Sequence, residues 1–251
     1  MEKLPIYISV VLCAVRDFKT IRKIVLEINR KVSPYFTDCD IILVDNSGSD
    51  DLWKKFLNLR SENLNLKIFR QEKITSYDNA ILRGFKESRG NYIIFPTPGA
   101  TFFSKSILDI FTYLRDISIY RAINGIYLDR KFNNRFKENK LFSEILFENF
   151  NINAPVVIPS IFMIKKSLFE KIFTFLPSET NCFLPSVEAI LHKYFSDELK
   201  ILFLNEGNGD PILGYGEDAI QYSLFKHKKC ISEIKDIDDM LENIEGLYSF
   251  D

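Results

Sequence analysis

The sequence has only two histidines, His192 and His227, and neither stands near a cysteine or another histidine at zinc-ligand spacing. A zinc centre is therefore not expected. The four cysteines, Cys13, Cys39, Cys182 and Cys230, form no close pair. That scatter predicts reduced thiols in a cytosolic protein. Neither sign of charge is in excess, since the formal net charge is −1, and there is no overall pull toward nucleic acid or anionic membrane. No apolar run is long enough to cross a bilayer. The run Ile6–Val15 is closed by Arg16-Asp17, and the opening MEKLPIYISVVLCAV has no convincing leader cleavage site. It reads better as a first, buried strand. Glycine is scarce at 10. Neither Gly207-Asn208-Gly209 nor Gly214-Tyr215-Gly216 runs from a strand into a helix at dinucleotide spacing, so no such cofactor is expected.

Phenylalanine is abundant at 23, and an apolar share of 46% in 251 residues is enough to build a sizeable core. Ile6–Val15, Asp40–Asp45, Leu66–Phe69 and Tyr92–Phe95 are short apolar runs rich in β-branched residues, as in strands buried on both faces. Helical spacing separates them, with Ile21, Ile24, Val25, Ile28 and Val32 after the first and Ala80, Ile81, Gly84, Phe85 and Ser88 before the fourth. Asp50-Asp51 open the helix after the second strand, where acids suit the helix dipole. This rhythm predicts an α/β fold with a mostly parallel, doubly wound sheet and flanking helices.

Further along, strands are expected at 123–128, 161–164 and 200–204, with helices at 104–115, 141–150, 165–169, 186–195 and 217–228. Residues 129–140 are basic and lack periodicity, which predicts a mobile loop. Arg130, Lys131, Arg135, Lys137 and Lys140 there could meet anionic lipid or a diphosphate, although a solvated loop is the commoner outcome. The acidic stretch 232–246 is expected to be an exposed helix. We read residues 1–251 as a single domain, with a nucleotide-type half to residue 128, an elaborated half over 129–230 and an acidic tail over 231–251.

Residues 74–103 lead from a polar loop through helix and strand into the turn Pro96-Thr97-Pro98-Gly99. Ligands of open α/β sheets gather beyond the carboxyl ends of the strands. This turn is therefore the first place to look for chemistry, and it holds no carboxylate.

Four segments in order carry a resemblance. ISVVLCAVRD, IILVDNSGSDD, the stretch Ala80…Gly84-Phe85…Gly90-Asn91-Tyr92-Ile93-Ile94-Phe95, and SIFMIKKSLFEKI together resemble the family 2 inverting glycosyltransferases, which have the GT-A fold. The resemblance spans roughly residues 6–228. It implies that Asp45 reads the base of a nucleoside diphosphate sugar by accepting from an imide N–H such as uracil N3; otherwise Asp45 simply caps the Asn46–Ser49 turn. It also implies a donor site drawn from Cys13, Ala14, Arg16, Asn46, Asp78, Asn79, Arg83, Thr97, Pro98 and Gly99.

The family's Asp-x-Asp metal motif is replaced here by Thr97-Pro98-Gly99, with Ala100 following. No metal or other cofactor is predicted; a Mg²⁺ or Mn²⁺ remains open but lacks its usual carboxylates. Cations such as Arg16, Arg83, Lys226, His227 or Lys228 would then meet the diphosphate charge. The family's general base corresponds to Asp218 of Glu217-Asp218, or to Glu188, whose following helix and strand match the family order better. Both acids also suit helix N-termini. The expected reaction is transfer of a sugar from a nucleoside diphosphate donor, UDP preferred, to a glycan or lipid-linked acceptor. The alternative is a catalytically inactive GT-A-like binding or scaffolding domain. A cytoplasmic protein is expected, with peripheral association at the inner membrane face and homo-oligomerisation left open and no nucleic-acid partner.

Overall fold

The computed structural model describes residues 3–15, 18–96, 101–102, 107–111, 121–127, 133–155, 161–176, 182–204, 210–211, 232–237 and 239. Its strands are β1 (Leu4–Ala14), β2 (Phe36–Asp45), β3 (Leu66–Arg70), β4 (Tyr92–Pro96), β5 (Thr101–Phe102), β6 (Ala122–Tyr127), β7 (Ile161–Lys165), β8 (Leu199–Leu204) and β9 (Asp210–Pro211). Seven of them form one sheet in the order β3-β2-β1-β4-β7-β6-β8. All run parallel except β7, which is antiparallel to both neighbours, β4 and β6. The carboxyl ends of β1, β2, β3 and β4 therefore share one edge. β5 and β9 make a small antiparallel pair beyond it, with Thr101 opposite Pro211 and Phe102 opposite Asp210.

The main helices are α1 (Phe18–Glu27), α2 (Asp50–Glu62), α3 (Tyr77–Glu87), α4 (Asn133–Phe150), α5 (Lys166–Phe173) and α6 (Phe183–Tyr194). Because side chains alternate along a strand, β1 supplies Ile8, Val10, Leu12 and Ala14 to one face, where α1, α2 and residues 107–111 pack. Val11 and Cys13 go to the other, against α3, α5 and α6. Phe85 of α3 lies at the middle of that second layer, with ring centroids 4.9 Å from both Phe169 and Phe183 and 6.2 Å from Phe95. Much of the phenylalanine content is thus core.

Two glycines let α3 sit low on the sheet. A Cβ at Gly84 would fall 2.3 Å from Val11 Cγ1, and one at Gly90 would fall 2.5 Å from the Ser9 backbone nitrogen. The buried Ser9 hydroxyl accepts from the Arg89 and Gly90 N–H groups at 3.2 and 2.8 Å, which fixes the turn into β4.

Several expectations do not hold. The run after β1 is not one α-helix: α1 gives way to a π-turn at Ile28–Val32 and a 3-10 turn at Ser33–Tyr35, as Pro34 removes a backbone donor. β2 begins at Phe36 rather than Asp40, and α6 at Phe183 rather than Ser186. Residues 133–140 are helical rather than a loop, since α4 extends back from the apolar anchor of Phe142 and Leu146. Extending a formed helix is far easier than starting one. The acidic stretch is not simply exposed: Ile234 and Ile237, in the helical residues 232–237, are buried. Cys182 is disulfide-bonded, whereas Cys13 and Cys39 are buried and outside any disulfide. Spacing along a chain does not report which sulfurs meet in space, so the expectation of four reduced cysteines is corrected. Among the described residues no helix is long and apolar enough to cross a membrane.

Candidate donor site

β2 ends on Asp45, directly opposite Ala14 of β1 and Arg70 of β3. The Asp45 side chain is buried. Its Oδ1 accepts from the Ser47 N–H at 3.0 Å, the turn-capping contact expected of a strand-end aspartate. Its Oδ2 is enclosed and has no hydrogen-bond partner. Among the described residues Arg70 faces it, with its Nε 4.0 Å away, too far for a hydrogen bond.

The loop after β3 is tied over this strand end. The Asn46 N–H donates to the Ala14 carbonyl at 2.9 Å. The Asn46 side chain donates from Nδ2 to the Thr75 carbonyl and accepts the Thr75 N–H on Oδ1, both at 3.0 Å. The Gln71 N–H donates to the Asp45 carbonyl at 3.0 Å. Gly48 takes a positive φ of 66° in the turn, and a Cβ there would meet Ile74. Ser49 caps α2 by accepting the Leu52 N–H, and Ser76 caps α3 by accepting the Asn79 N–H. Asp50 and Asp51 fill the first turn of α2 and Asp78 that of α3.

Arg83 faces this loop as well. Its Nη1 donates to the Arg70 carbonyl and to Gln71 Oε1, both at 3.1 Å, and its guanidinium lies over the Phe69 ring. In this arrangement it supports the loop. Cys13 sits within the core layer beneath α3.

The structure thus brings Ala14, Asp45, Asn46, Asp78, Asn79 and Arg83 to one edge. Glu188 is elsewhere. It lies midway along α6, fully buried, and its Oε2 accepts from Asn124 Nδ2 at 2.7 Å, with His192 Nε2 3.6 Å away. Asn124 is the third residue of β6, well back from that strand's carboxyl end at Tyr127. Burial raises the Glu188 carboxyl above its ordinary value, with His192 and then Asn124 pulling the other way. Arg16, Thr97, Pro98, Gly99, Glu217 and Asp218 lie outside the described residues.

Sequence reasoning missed Arg70, Thr75 and Asn124. Arg70 carried a usable signal, because a cation ends β3 beside the strand that ends on Asp45. Asn124 carried another, as a lone amide in the apolar run INGIYL.

Residues 9–173, from β1 through α5, match the profile of glycosyl transferase family 2. The chain belongs to that family. It is a glycosyltransferase, and its fold agrees with solved members of the GT-A class. Mannosyl-3-phosphoglycerate synthase from Rubrobacter xylanophilus superposes with a TM-score of 0.71 at 13% identity, over 96% of this chain and 77% of that one. Glucosyl-3-phosphoglycerate synthase from Mycobacterium tuberculosis, solved with Mn²⁺, UDP and glucosyl-3-phosphoglycerate, gives 0.62 at 13% identity, over 92% and 80%. A mannosyltransferase from Pyrobaculum calidifontis, solved with GDP-mannose and Mn²⁺, gives 0.59 at 12% identity, over 95% and 75%. At such identities the likeness is one of fold. The comparison with curated protein sequences gave no match.

Proposed function

We propose that this glycosyltransferase takes its sugar from a nucleoside diphosphate donor, uridine preferred, and places it with inversion on a glycan or lipid-linked acceptor. The observation that carries the donor reading is the enclosed, unpaired Oδ2 of Asp45 at the carboxyl edge of the sheet. A buried carboxylate oxygen without a donor is costly and marks a place where a ligand N–H restores the missing bond. Uracil N3–H supplies such a donor, and UDP and GDP-mannose are the ligands named for two of the solved relatives.

In the proposed reaction the acceptor hydroxyl oxygen attacks the anomeric carbon. Its proton passes to a carboxylate, and the bond from that carbon to the diphosphate oxygen breaks, with the electron pair leaving on the diphosphate. Glu188 is closed inside the core, which favours Asp218 as the base.

The solved relatives named with Mn²⁺ raise the question of a metal here. Thr97, Pro98 and Gly99 offer no anionic oxygen. That donor set does not fit a divalent ion. The leaving charge is assigned instead to cations, with Arg16, Lys226, His227 and Lys228 as candidates.

The test is a thermal-shift screen of nucleoside diphosphates and their sugars with and without EDTA, followed by an assay of diphosphate release. Stabilisation by one nucleotide that ignores EDTA, with turnover, is the expected result. Stabilisation that vanishes with EDTA contradicts metal independence, and binding without turnover favours a sugar-nucleotide-binding domain instead.

A further inference from the structure

Arg70 stands between two carboxylates of different kinds. On one side is Asp45, its side chain fully buried with one oxygen lacking any hydrogen bond. On the other is Asp50, 81% exposed at the start of α2, which accepts from Arg70 Nη2 at 2.6 Å. The guanidinium also lies 5.7 Å from the centroid of the Trp53 ring, one turn further along α2. The buried acid is the stronger anchor for a cation, since charges attract more strongly out of water. Yet Arg70 bonds to the exposed acid and leaves the buried one at 4.0 Å.

We propose that Asp50 and Trp53 form a clamp that holds Arg70 off Asp45, making Arg70 a positioning residue that controls access to the base-reading carboxylate. With the clamp closed, the buried Oδ2 of Asp45 is left without a protein donor, so a ligand N–H meets no competing bond there. With the clamp broken, the Arg70 guanidinium closes on Asp45, and a base must displace it before binding. The inference rests on the donor reading of Asp45 and adds a regulator to that site. An ordinary surface ion pair between Arg70 and Asp50 would have no such consequence.

The experiment is a double-mutant cycle read by calorimetric titration of UDP into wild type, D50N, R70A and D50N/R70A, with a melting temperature for each protein. D50N is expected to weaken UDP binding about tenfold, because a charge-assisted hydrogen bond between Arg70 and Asp45 then competes with the ligand. In the R70A background the same D50N change is expected to move affinity less than twofold. Melting temperatures separate this from a structural role, since the affinity loss in D50N should far exceed any effect of its small stability change. W53A should weaken binding in the same direction as D50N, again only while Arg70 is present. A D50N effect of equal size with and without Arg70, or no effect in either, overturns the clamp while leaving the donor reading intact. If wild type binds no UDP, the donor reading falls and the clamp falls with it.

Discussion

β2 carries two buried aspartates, one midway along and one at its carboxyl end, and the protein treats the two in opposite ways. Asp40 is the one midway along, where its Oδ2 accepts from the Tyr7 hydroxyl at 2.7 Å and from the Lys67 ammonium. Burial and then the bond to Asp40 push the Tyr7 phenol well above its ordinary value. Asp45, at the carboxyl end, receives one backbone N–H, and its neighbouring cation bonds to a different acid. Each aspartate has one oxygen without a hydrogen bond. The difference lies in the bonding: β3 offers a cation near both ends, Lys67 and Arg70, but only Lys67 hydrogen-bonds to its aspartate, while Arg70 stays 4.0 Å from Asp45. A carboxylate neutralised by its own protein serves the fold. One left short of partners at the ligand-binding edge of a parallel sheet is held ready for something else.

The sharpest way to break this comparison is to neutralise each aspartate in turn. Asp45→Asn keeps an oxygen for the Ser47 N–H but removes the anion, and should weaken nucleoside diphosphate binding by about 2 kcal/mol, roughly 30-fold, in a calorimetric titration. Its melting temperature should move little. Asp40→Asn should do the reverse, costing about 1–2 kcal/mol in denaturant unfolding because Lys67 and Tyr7 lose their charged partner, with Lys67's part reduced by its partial exposure. Nucleotide affinity should be unchanged. If both variants lose binding equally, the two aspartates of β2 are not distinct in function.

A smaller effect tests the loop that Asn46 ties down. Ser76→Ala removes the cap of α3 and should cost about 1 kcal/mol of stability. Because Asn46 still grips Thr75 on both sides, the nucleotide dissociation constant should change less than twofold.

How much of this could be read beforehand depended on the kind of signal. β1, β2, β4 and β7 announced themselves as runs of β-branched residues, since a strand covered on both faces has no room for polar alternation. The direction of β7 left no trace, because a long connection containing a helix can return a strand either way. Residues 133–140 looked like a loop because their own composition carries no apolar face, while the anchor that makes them helical lies later, at Phe142 and Leu146. At the site, Asp45 stood out as an acid ending an apolar strand. Arg70 was harder to see, since a cation ending a short strand is usually solvated and only the register of β3 on β2 sets it opposite Asp45. Glu188 was visible as an acid, but nothing in its own helix told that Asn124 and His192 would meet it inside the core.

That third buried carboxylate gives the smallest predicted effect, and its sign is opposite to the usual stabilising acid. Glu188 holds its proton to higher pH in the folded protein than in the unfolded chain. The folded state therefore binds more protons across the window between the unfolded value, about 4.3, and the raised folded one, and stability falls as pH rises through that window. Glu188→Gln retains an acceptor for Asn124 and removes the titration. Its melting temperature should match wild type at low pH and exceed it as pH rises; a gap that narrows with rising pH would show that Glu188 is stabilised as the anion.

The central claim is that the unpaired oxygen of Asp45 takes an imide N–H from the donor's base. Titration of UDP against its N3-methyl analogue tests this directly, because the methyl group removes that one proton and leaves the diphosphate intact. Wild type is predicted to bind UDP about 30-fold more tightly than the analogue, and Asp45→Asn to bind both with similar, weak affinity. Equal affinity of wild type for the two nucleotides would contradict the account.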